Sequence, residues 1–300
     1  MKRKVYQIDA FTKLRFTGNP AGVVTNADGM SDHQMQGLAR ELNNSETAFI
    51  FSASASDHDF HIRYFTPTTE VPVCGHATVA SGYALSLENR LSSISTRIRT
   101  GAGILSISLY QSDDHPKVEM VQGQVVLEPP FADEIKQRII GALGLESNDV
   151  DVRCPIGVAS TGHSKIMIGI HSKSRLNALE PNLDALKVIS REVQCDGYYV
   201  FTFDSTEDDV LICGRMFAPA IGINEDPVTG NANGPLGAYL VANKLVAYSE
   251  SEFRFTAMQG ETMGRKGYVD VKVAIDGEGA PTQVSIFGHA VKVFDTDIEI

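Results

Sequence analysis

Residues 74–85 (CGHATVASGYAL) and residues 229–240 (TGNANGPLGAYL) share one layout. The two stretches agree at the first glycine, the next alanine, the second glycine and the final leucine, and each follows a Phe-x-Pro turn. Each is typical of a loop that leads directly into a helix. A repeat at about half the chain length indicates two related halves. We therefore expect two helix N-termini that converge on one cleft and offer N–H groups and the positive ends of helix dipoles to a ligand carboxylate.

The composition is that of a globular protein with two domains of ordinary size. The chain has 300 residues, of which 43% are hydrophobic and 21% are charged. A formal net charge of -11 argues against nucleic acid as a partner, because neutralising phosphates needs a basic face. No apolar run approaches the length of a membrane span, and no apolar signal core follows the first four residues. We therefore expect a cytoplasmic protein that does not interact with membranes.

The cysteines and histidines show no pattern of metal ligands. The four cysteines are Cys74, Cys154, Cys195 and Cys213. They form no C-x-x-C pair, so neither a zinc site nor a disulfide framework is expected. The last three lie beside apolar or turn segments and are expected to be buried thiols. Because His61, His163 and His289 also lack ligand spacing, we expect no metal.

Hydrophobic periodicity and turn residues predict more strands than helices. In the first half we predict strands at 5–11, 21–25, 47–51, 60–65, 93–99 and 104–111, and helices at 32–42 and 75–87. In the second half we predict strands at 117–121, 158–160, 165–170, 197–204 and 209–217, and helices at 132–143, after Asn182 and from Gly230. The end is predicted as strands at 252–257, 268–275, 283–287 and 291–294. Helices and strands do not alternate strictly, so the predicted fold class is α+β.

Two acidic residues stand where an acid is unusual. Glu46 begins the apolar strand in 44–49 (NSETAF), and a carboxylate at the edge of a dry cleft has a raised pKa, as a general acid–base needs. A solvent-exposed or capping glutamate is the alternative. Asp226 precedes the second repeat by one tight turn that Pro227 fixes. A turn contact or a helix cap would also explain an aspartate there.

The helix starts supply further candidate groups. His76 follows Gly75, and a histidine near a helix N-terminus tends to be neutral, so that it accepts or donates one hydrogen bond at pH 7. A histidine that merely fills an interface is the alternative. Gly75 and Gly230 would offer backbone N–H donors at positions where a side chain would block the ligand.

Six motifs follow one another from residue 9 to about residue 265. They are 9–12 (DAFT), 16–21 (FTGNPA), 44–49 (NSETAF), 63–67 (RYFTP) with 70–78 (EVPVCGHAT), 222–232 (GINEDPVTGNA), and 259–260 (QG) with 263–265 (MGR). In this order they resemble the PhzF (phenazine-biosynthesis-like) isomerase family over essentially the whole chain. Each motif alone is weak, and six in register are strong.

The resemblance implies the diaminopimelate-epimerase-like fold. In that fold two pseudo-repeated domains each form a β-barrel around a central helix, and the active site lies in the interdomain cleft. The last strand commonly returns to the first domain. We therefore expect an N-terminal barrel domain of residues 1–117 plus 287–300 and a C-terminal barrel domain of residues 118–286.

The resemblance also implies a cofactor-independent isomerase that shuttles a proton on a small anionic, carboxylate-bearing metabolite. In phenazine-making members the substrate is a dihydro-hydroxyanthranilate, so a cyclic diene fits the expectation. The family places its proton-transfer glutamate at the position of Glu46 and uses residues like His76 and Asp226 for substrate contact and relay. The residues expected to bind substrate are Gly75, Gly230, Asn231, Asn19 and Cys74. The resemblance further implies a homodimer.

Two other functions stay open at this point. Related epimerases use a pair of cysteines, one from each half, as base and acid. Here Cys74 has no cysteine counterpart near Asp226, which disfavours a two-thiol racemase and favours packing for Cys74, although an epimerase with another partner remains. The second alternative is a module that binds a small molecule or a protein and has lost the chemistry, since a fold does not fix a function.

Overall fold

The computed structural model describes residues 2–90, 95–110, 115–249 and 251–300, and the chain divides into two compact units. The first unit extends through Val121 and also includes Phe287–Ile300, and the second is Gln122–Ile286. The strand Lys117–Val121 pairs with Gly103–Tyr110, so the first unit extends beyond residue 117. Within the described residues, no helix is both long enough and apolar enough to span a membrane.

The helices and strands have the following bounds. The first part of the chain contains β1 (Lys2–Ala10), β2 (Asn19–Val24), α1 (Asp32–Leu42), β3 (Glu46–Ser52), β4 (Phe60–Phe65), β5 (Glu70–Val71), α2 (Gly75–Leu87), β6 (Thr96–Thr100), β7 (Gly103–Tyr110) and β8 (Lys117–Val121). The rest contains β9 (Val126–Leu127), α3 (Asp133–Ala142), β10 (Gly157–Ser160), β11 (Lys165–Gly169), α4 (Lys173–Asn177), α5 (Leu183–Val193), β12 (Tyr198–Thr202), β13 (Ile212–Ala218), β14 (Ile223–Asp226), α6 (Gly230–Ala242), β15 (Glu252–Gln259), β16 (Gly267–Ile275) and β17 (Pro281–Glu299). Two short 3₁₀ turns, Pro219–Ile221 and Glu261–Met263, complete the list.

Eight strands of the first unit close into a barrel. Around the ring, β1 pairs with β2, β2 with β3, β3 with β4, β4 with β6, and β6 with β7. The ring continues from β7 to β8 and closes through β17, which pairs with both β8 and β1. Helix α2 packs against β1, β2, β3, β7 and β8, and residues 75–85 are all buried. A helix that is apolar on every side belongs in such a core.

The second unit repeats this order of strand pairings. Six successive strand pairs of the first unit show the pattern. Two of them are parallel, β2–β3 and β4–β6. The other four are antiparallel, namely β1–β2, β3–β4, β4–β5 and β6–β7. The second unit shows the same pattern. Its parallel pairs are β11–β12 and β13–β15, and its antiparallel pairs are β10–β11, β12–β13, β13–β14 and β15–β16. Helix α6 is the buried counterpart of α2 and packs against β10, β11, β15 and β16. The predicted α+β class and the repeat are therefore confirmed.

The end of the chain differs from the prediction. We expected separate strands at 283–287 and 291–294, but one strand, β17, covers both. Gly288 and His289 interrupt the apolar pattern without making a turn, because the His289 carbonyl accepts the N–H of Phe11 at 2.7 Å. A side chain at Gly288 would collide with the Phe11 ring, since a Cβ there would lie 2.5 Å from Cδ1. Parts of two other predicted strands, residues 93–94 and 111, lie outside the described residues.

Candidate active site

Glu46 lies at the first position of β3 in the first unit. The chain leaves α1 through Asn43, which adopts the left-handed conformation at φ 51°, and enters β3 at Glu46 opposite Ala21 of β2. Only 9% of Glu46 is exposed. The solvent-exposed alternative is therefore wrong, and the carboxylate belongs to a largely dry environment.

The start of α2 lies beside this carboxylate. Cys74 is the N-cap with an extended backbone, and Gly75 and His76 are the first two residues of the helix. The first N–H groups of a helix have no partner within the helix, so they remain available to a ligand. Thr78 fastens the turn, because its hydroxyl donates to the Cys74 carbonyl at 2.7 Å. Both Cys74 and His76 are buried.

His76 connects the groups of this cluster. Its Nε2 lies 3.5 Å from Oε2 of Glu46 and 3.2 Å from Oγ of Ser45. On the other side of the ring, Nδ1 lies 3.3 Å from Sγ of Cys74. The acid, the imidazole and the thiol all lie within 4.8 Å of one another. The structure thus brings Glu46, Cys74 and His76 together and adds Ser45, which the sequence reasoning missed.

The imidazole of His76 is neutral at physiological pH. Burial lowers its pKa to about 3, so the contact with Glu46 is a hydrogen-bonding contact and not an ion pair. A neutral imidazole has one N–H and one bare nitrogen. A thiol at Cys74 that donates to Nδ1 leaves the hydrogen on Nε2, where it faces Glu46 and Ser45. The arrangement can therefore hold, orient or pass on a proton at the Glu46 carboxylate.

Asp226 ends β14 in the second unit and is buried. The hydroxyl of Thr229 donates to its carboxylate, and the side-chain amide of Gln259 donates to its backbone carbonyl at 2.7 Å. The turn of residues 226–229 is thus held rigidly just before α6 begins. The alternative for Asp226 was a purely structural turn contact. The hydrogen bond from Thr229 is a contact of that kind, so it is the observation that supports the structural alternative.

Gln259 braces the turn from the neighbouring strand. It is only 1% exposed, and its Oε1 accepts from the backbone N–H of Thr229 at 3.1 Å and from Nδ2 of Asn233 at 3.2 Å. The hydroxyl of Tyr199 in turn donates to Oδ1 of Asn233 at 2.5 Å. Through these hydrogen bonds Gln259 holds the start of α6 in place. These contacts favour a structural role for Gln259 over one in lining a cleft.

The first residues of α6 are held by Gln122. The side-chain amide of Gln122 donates to the Gly230 carbonyl and to Oδ1 of Asn231, both at 3.2 Å. Asn231 is half-buried. Pro235 lies inside the helix and has no N–H to donate to the Asn231 carbonyl. Asp226, Gly230 and Asn231 therefore lie within one fixed turn of the second unit.

Lys165, which is buried, and His163, which is half-buried, form a basic pair that the sequence reasoning did not select. Lys165 begins β11 and is 4% exposed, and burial lowers its pKa to about 8. Its Nζ lies 3.1 Å from Nδ1 of His163 and donates to the Ser164 carbonyl at 3.0 Å. The charge of Lys165, together with burial, lowers the pKa of His163 to about 4. The negative charge of Asp226 acts on Lys165 in the opposite direction and raises its pKa.

The remaining candidates have the following positions. Asn19 begins β2 opposite Ala10 and is buried. Arg63, which lies in the motif 63–67, forms ion pairs with Glu70 at 2.6 Å and Asp32 at 2.7 Å, and these contacts favour a role as a surface group. The expected core thiols, Cys154, Cys195 and Cys213, are all buried. Burial raises the pKa of each of these three thiols.

The sequence profile of the protein family described as phenazine biosynthesis-like protein matches residues 8–296. The chain belongs to this family. An uncharacterized isomerase of Clostridium acetobutylicum is 53% identical over 99% of this chain and 98% of its own length. The trans-2,3-dihydro-3-hydroxyanthranilate isomerase of Pseudomonas aeruginosa is 29% identical, over 93% of this chain and 91% of that protein.

A solved structure supports the same family membership. The PhzF-family phenazine biosynthesis protein of Bacillus anthracis is 31% identical, covers 100% of both chains and superposes with a TM-score of 0.89. The resemblance inferred from the six motifs is thereby confirmed, as is the diaminopimelate-epimerase-like fold class. The protein is an isomerase of this family.

Proposed function

We propose that this protein isomerises a small carboxylate-bearing metabolite by moving one proton between two carbons, without a cofactor. The observation that carries the proposal is the burial of Glu46 against a neutral His76, with 3.5 Å between Oε2 and Nε2. A carboxylate that is shielded from water and held beside a neutral imidazole suits a group that must accept and return a proton.

Glu46 would remove a proton from a carbon that conjugation or an adjacent carboxylate makes acidic. Negative charge then develops on the substrate, and the N–H groups at the start of α2 would stabilise it. His76 would orient the carboxyl group or relay the proton through Nε2. Because Glu46 is 9% exposed, the proton it holds exchanges slowly with water and can be returned to another carbon of the same substrate.

The turn before α6 supplies the second set of groups in this proposal. Asp226 would accept a hydrogen bond from the substrate or share in the relay, since Thr229 and Gln259 hold it in place. The residues proposed to bind substrate are Gly75, Gly230, Asn231, Asn19 and Cys74. For Gly75 and Gly230 the binding groups are backbone N–H donors, and Cys74 would act through the orientation of His76.

The proposed substrate class is a cyclic diene carboxylate or a compound close to it. The Pseudomonas aeruginosa relative is named for trans-2,3-dihydro-3-hydroxyanthranilate, which carries a carboxylate and a conjugated ring. We propose a related compound here, because Glu46 needs a carbon acid and because the two helix N-termini suit an anion.

Proton NMR in deuterium oxide tests this function. A panel of small carboxylates that includes trans-2,3-dihydro-3-hydroxyanthranilate is incubated with the wild type, with Glu46→Gln and with Glu41→Gln. Glu41 is an exposed glutamate of α1 and serves as the matched control. We expect isomerisation or deuterium incorporation at one carbon with the wild type and the control, and a loss of about 10²–10⁴-fold in Glu46→Gln.

A folded Glu46→Gln protein that turns over the substrate at the wild-type rate would refute the role of Glu46. A wild-type protein that binds a panel member without exchange or isomerisation would instead support a binding module. Circular dichroism and thermal unfolding of all three proteins separate these results from a loss of fold.

A further inference from the structure

A buried cation in the second unit, Lys165, has no carboxylate within ion-pair distance among the described residues. Lys165 is 4% exposed, and its two hydrogen-bond contacts are with its own neighbours, the Ser164 carbonyl at 3.0 Å and His163 Nδ1 at 3.1 Å. An ammonium group has three N–H donors. The charges of Asp226 and Asp196 act on Lys165, but among the described residues neither carboxylate forms an ion pair with Nζ within 4.0 Å.

Buried charges are normally paired, because removing a lone charge from water is costly. The same unit contains an example, since the buried Arg215 forms two hydrogen bonds of 2.8 Å with the carboxylate of Glu225. Arg215 also donates to the Leu176 carbonyl at 3.0 Å. Lys165 departs from this rule in the same protein. A buried cation that retains a donor and has no carboxylate within ion-pair distance is a candidate group for binding a negatively charged ligand.

The fold makes room for Lys165 at this position. Its side chain lies over Gly197, where a Cβ would lie 2.3 Å from Cδ of the lysine. Any side chain at position 197 would therefore displace the lysine. Gly197, the residue just before β12, leaves the space that the buried lysine side chain occupies.

The internal repeat relates the position of Lys165 to that of Glu46. In the first unit Ala21 of β2 pairs with Glu46 of β3, and in the second unit Ile166 of β11 pairs with Tyr198 of β12. Lys165 precedes Ile166, so it lies at the strand end that corresponds to the Glu46 end of the first barrel. The two units thus carry a carboxylate and an ammonium group at corresponding barrel ends, on neighbouring strands of the repeat.

Lys165 lies on a strand that contacts helix α6. Strand β11 packs against α6, and the charge of Asp226, just before that helix, acts on the lysine. The N-terminus of α6 adds N–H donors and the positive end of a dipole. A carboxylate ligand would therefore meet a cation and backbone donors in the same part of the second unit.

We propose that Lys165 binds the carboxylate of the substrate and is the cation that selects an anionic ligand. This inference rests on the proposed function, because it names the residue that recognises the substrate class given above. Lys165 is a binding residue in this account, and the proton transfer remains with Glu46.

The test uses benzoate as the probe and benzamide as its uncharged analogue. The ring protons of His163, assigned with a His163→Gln variant, report binding by NMR because His163 contacts Lys165 at 3.1 Å. The proteins compared are the wild type, Lys165→Met and Lys187→Met. Methionine is an unbranched side chain only one atom shorter than lysine and has no charge. Lys187 is a more exposed lysine of α5 with 40% of its side chain accessible, so it serves as the matched control.

We expect benzoate to shift the His163 signals in the wild type and in Lys187→Met, while benzamide does not. In Lys165→Met the affinity for benzoate should fall at least about tenfold, the loss of one charged hydrogen bond. Equal benzoate affinity in Lys165→Met, equal responses to benzoate and benzamide, or no response to benzoate in the wild type would each overturn the inference.

A pH series gives a second readout that needs no variant. The groups whose charges act on Lys165 are His163, Cys195, Asp196 and Asp226. The pKa of His163 is lowered to about 4 and that of Cys195 is raised, so both are neutral near pH 8. Because the pKa of Lys165 is about 8, benzoate affinity should fall as the pH rises through 8. An affinity that stays constant between pH 7 and pH 9 would contradict the assignment.

The activity assay separates this inference from the proposed function. If the wild type neither isomerises any carboxylate nor exchanges a proton on it but binds benzoate through Lys165, the proposed isomerase chemistry fails and the anion site stands. If the wild type is active and Lys165→Met keeps the same KM, the chemistry stands and the role of Lys165 fails.

Discussion

At the residue scale, the properties of the candidate site follow from burial. His76 shows this most clearly, because burial lowers its pKa to about 3 although Glu46 lies 3.5 Å away. A nearby carboxylate favours the charged imidazole, and burial opposes it. Burial is the larger effect here. The position of the histidine at a helix start predicted a neutral ring, and the structure supports that prediction.

The lowered pKa of His76 predicts a loss of stability in acid. The unfolded chain binds a proton on this ring near pH 6.5, whereas the folded chain binds it only near pH 3. Between these values the unfolded state holds more protons, so the free energy of unfolding falls as the pH falls, by at most about 1.4 kcal/mol per pH unit. Denaturant unfolding at pH 7 and pH 4.5 measures the effect. His76→Gln should lose less stability over this interval than the wild type, and an equal loss would contradict the prediction.

The contact between Cys74 and His76 predicts how two cysteine variants differ. Cys74→Ser keeps a donor to Nδ1 of His76 and should hold kcat within about threefold of the wild type. Cys74→Ala removes the donor and should lower kcat by about 5–10-fold, the value of one hydrogen bond, with KM little changed.

Steady-state kinetics over a range of pH would distinguish three roles for Cys74. Equal activity of both variants would identify packing alone. A loss in both variants as large as that of Glu46→Gln would indicate that the thiol itself is the acid or base, as the epimerase alternative requires.

At the element scale, the start of α6 depends on a glycine. A Cβ at Gly234 would lie 1.8 Å from Oε1 of Gln122, so Gly234→Ala must displace that side chain. The displacement would break its bonds to Thr161, Gly230 and Asn231. We expect a loss of about 2–3 kcal/mol in the free energy of unfolding, together with weaker substrate binding.

A second glycine provides the matched control for this prediction. Gly37 lies in α1, and a Cβ there would meet nothing within 4 Å. Gly37→Ala should therefore raise the free energy of unfolding by about 1 kcal/mol, the difference in helix propensity. Thermal and denaturant unfolding measure both variants. Equal effects of the two substitutions would show that Gln122 does not hold the start of α6.

Local signals determined which elements the sequence predicted well. Helix α1 was predicted with its bounds, because Ser31 and Gln34 form a capping box that the structure contains. Helix α2 was also predicted with its bounds, since its start follows from the repeat. The short strands β5, β9 and β14, of two to four residues, were missed, because they form through pairing with other strands and have too few residues for a period.

The site was predicted in part, for a similar reason. Glu46 and His76 were found because each occupies an unusual place in a local pattern and because the motifs resemble a family. Lys165 was missed, because a lysine at the start of a strand is ordinarily exposed and its burial depends on tertiary packing, including the packing over Gly197. The contact of Ser45 with His76 joins residues from different elements, which no local pattern shows.

At the scale of the whole molecule, the repeat gives two barrels with the same strand order and different chemistry. The first unit presents Glu46, His76 and Cys74 at the start of its central helix. The second presents Asp226 at the start of its own central helix, with Lys165 on a strand packed against it. Duplication followed by divergence explains both observations. The shared strand order allowed the fold to be recognised from the sequence repeat, while the charged groups of the two units, such as Glu46 and Lys165, became different. The homodimer and the cytoplasmic location expected from the sequence stay predictions.

The central claim is that one buried carboxylate carries the proton from the first carbon to the second. The most direct test follows isomerisation in ordinary water of a substrate deuterated at the carbon that loses the proton, with trans-2,3-dihydro-3-hydroxyanthranilate as the first compound. If Glu46 carries the deuteron in its shielded position, part of the product formed early in the reaction will contain deuterium at the new carbon. A product without deuterium at that carbon from the earliest turnovers would contradict the account, because it would require the proton to come from water or from a second acid.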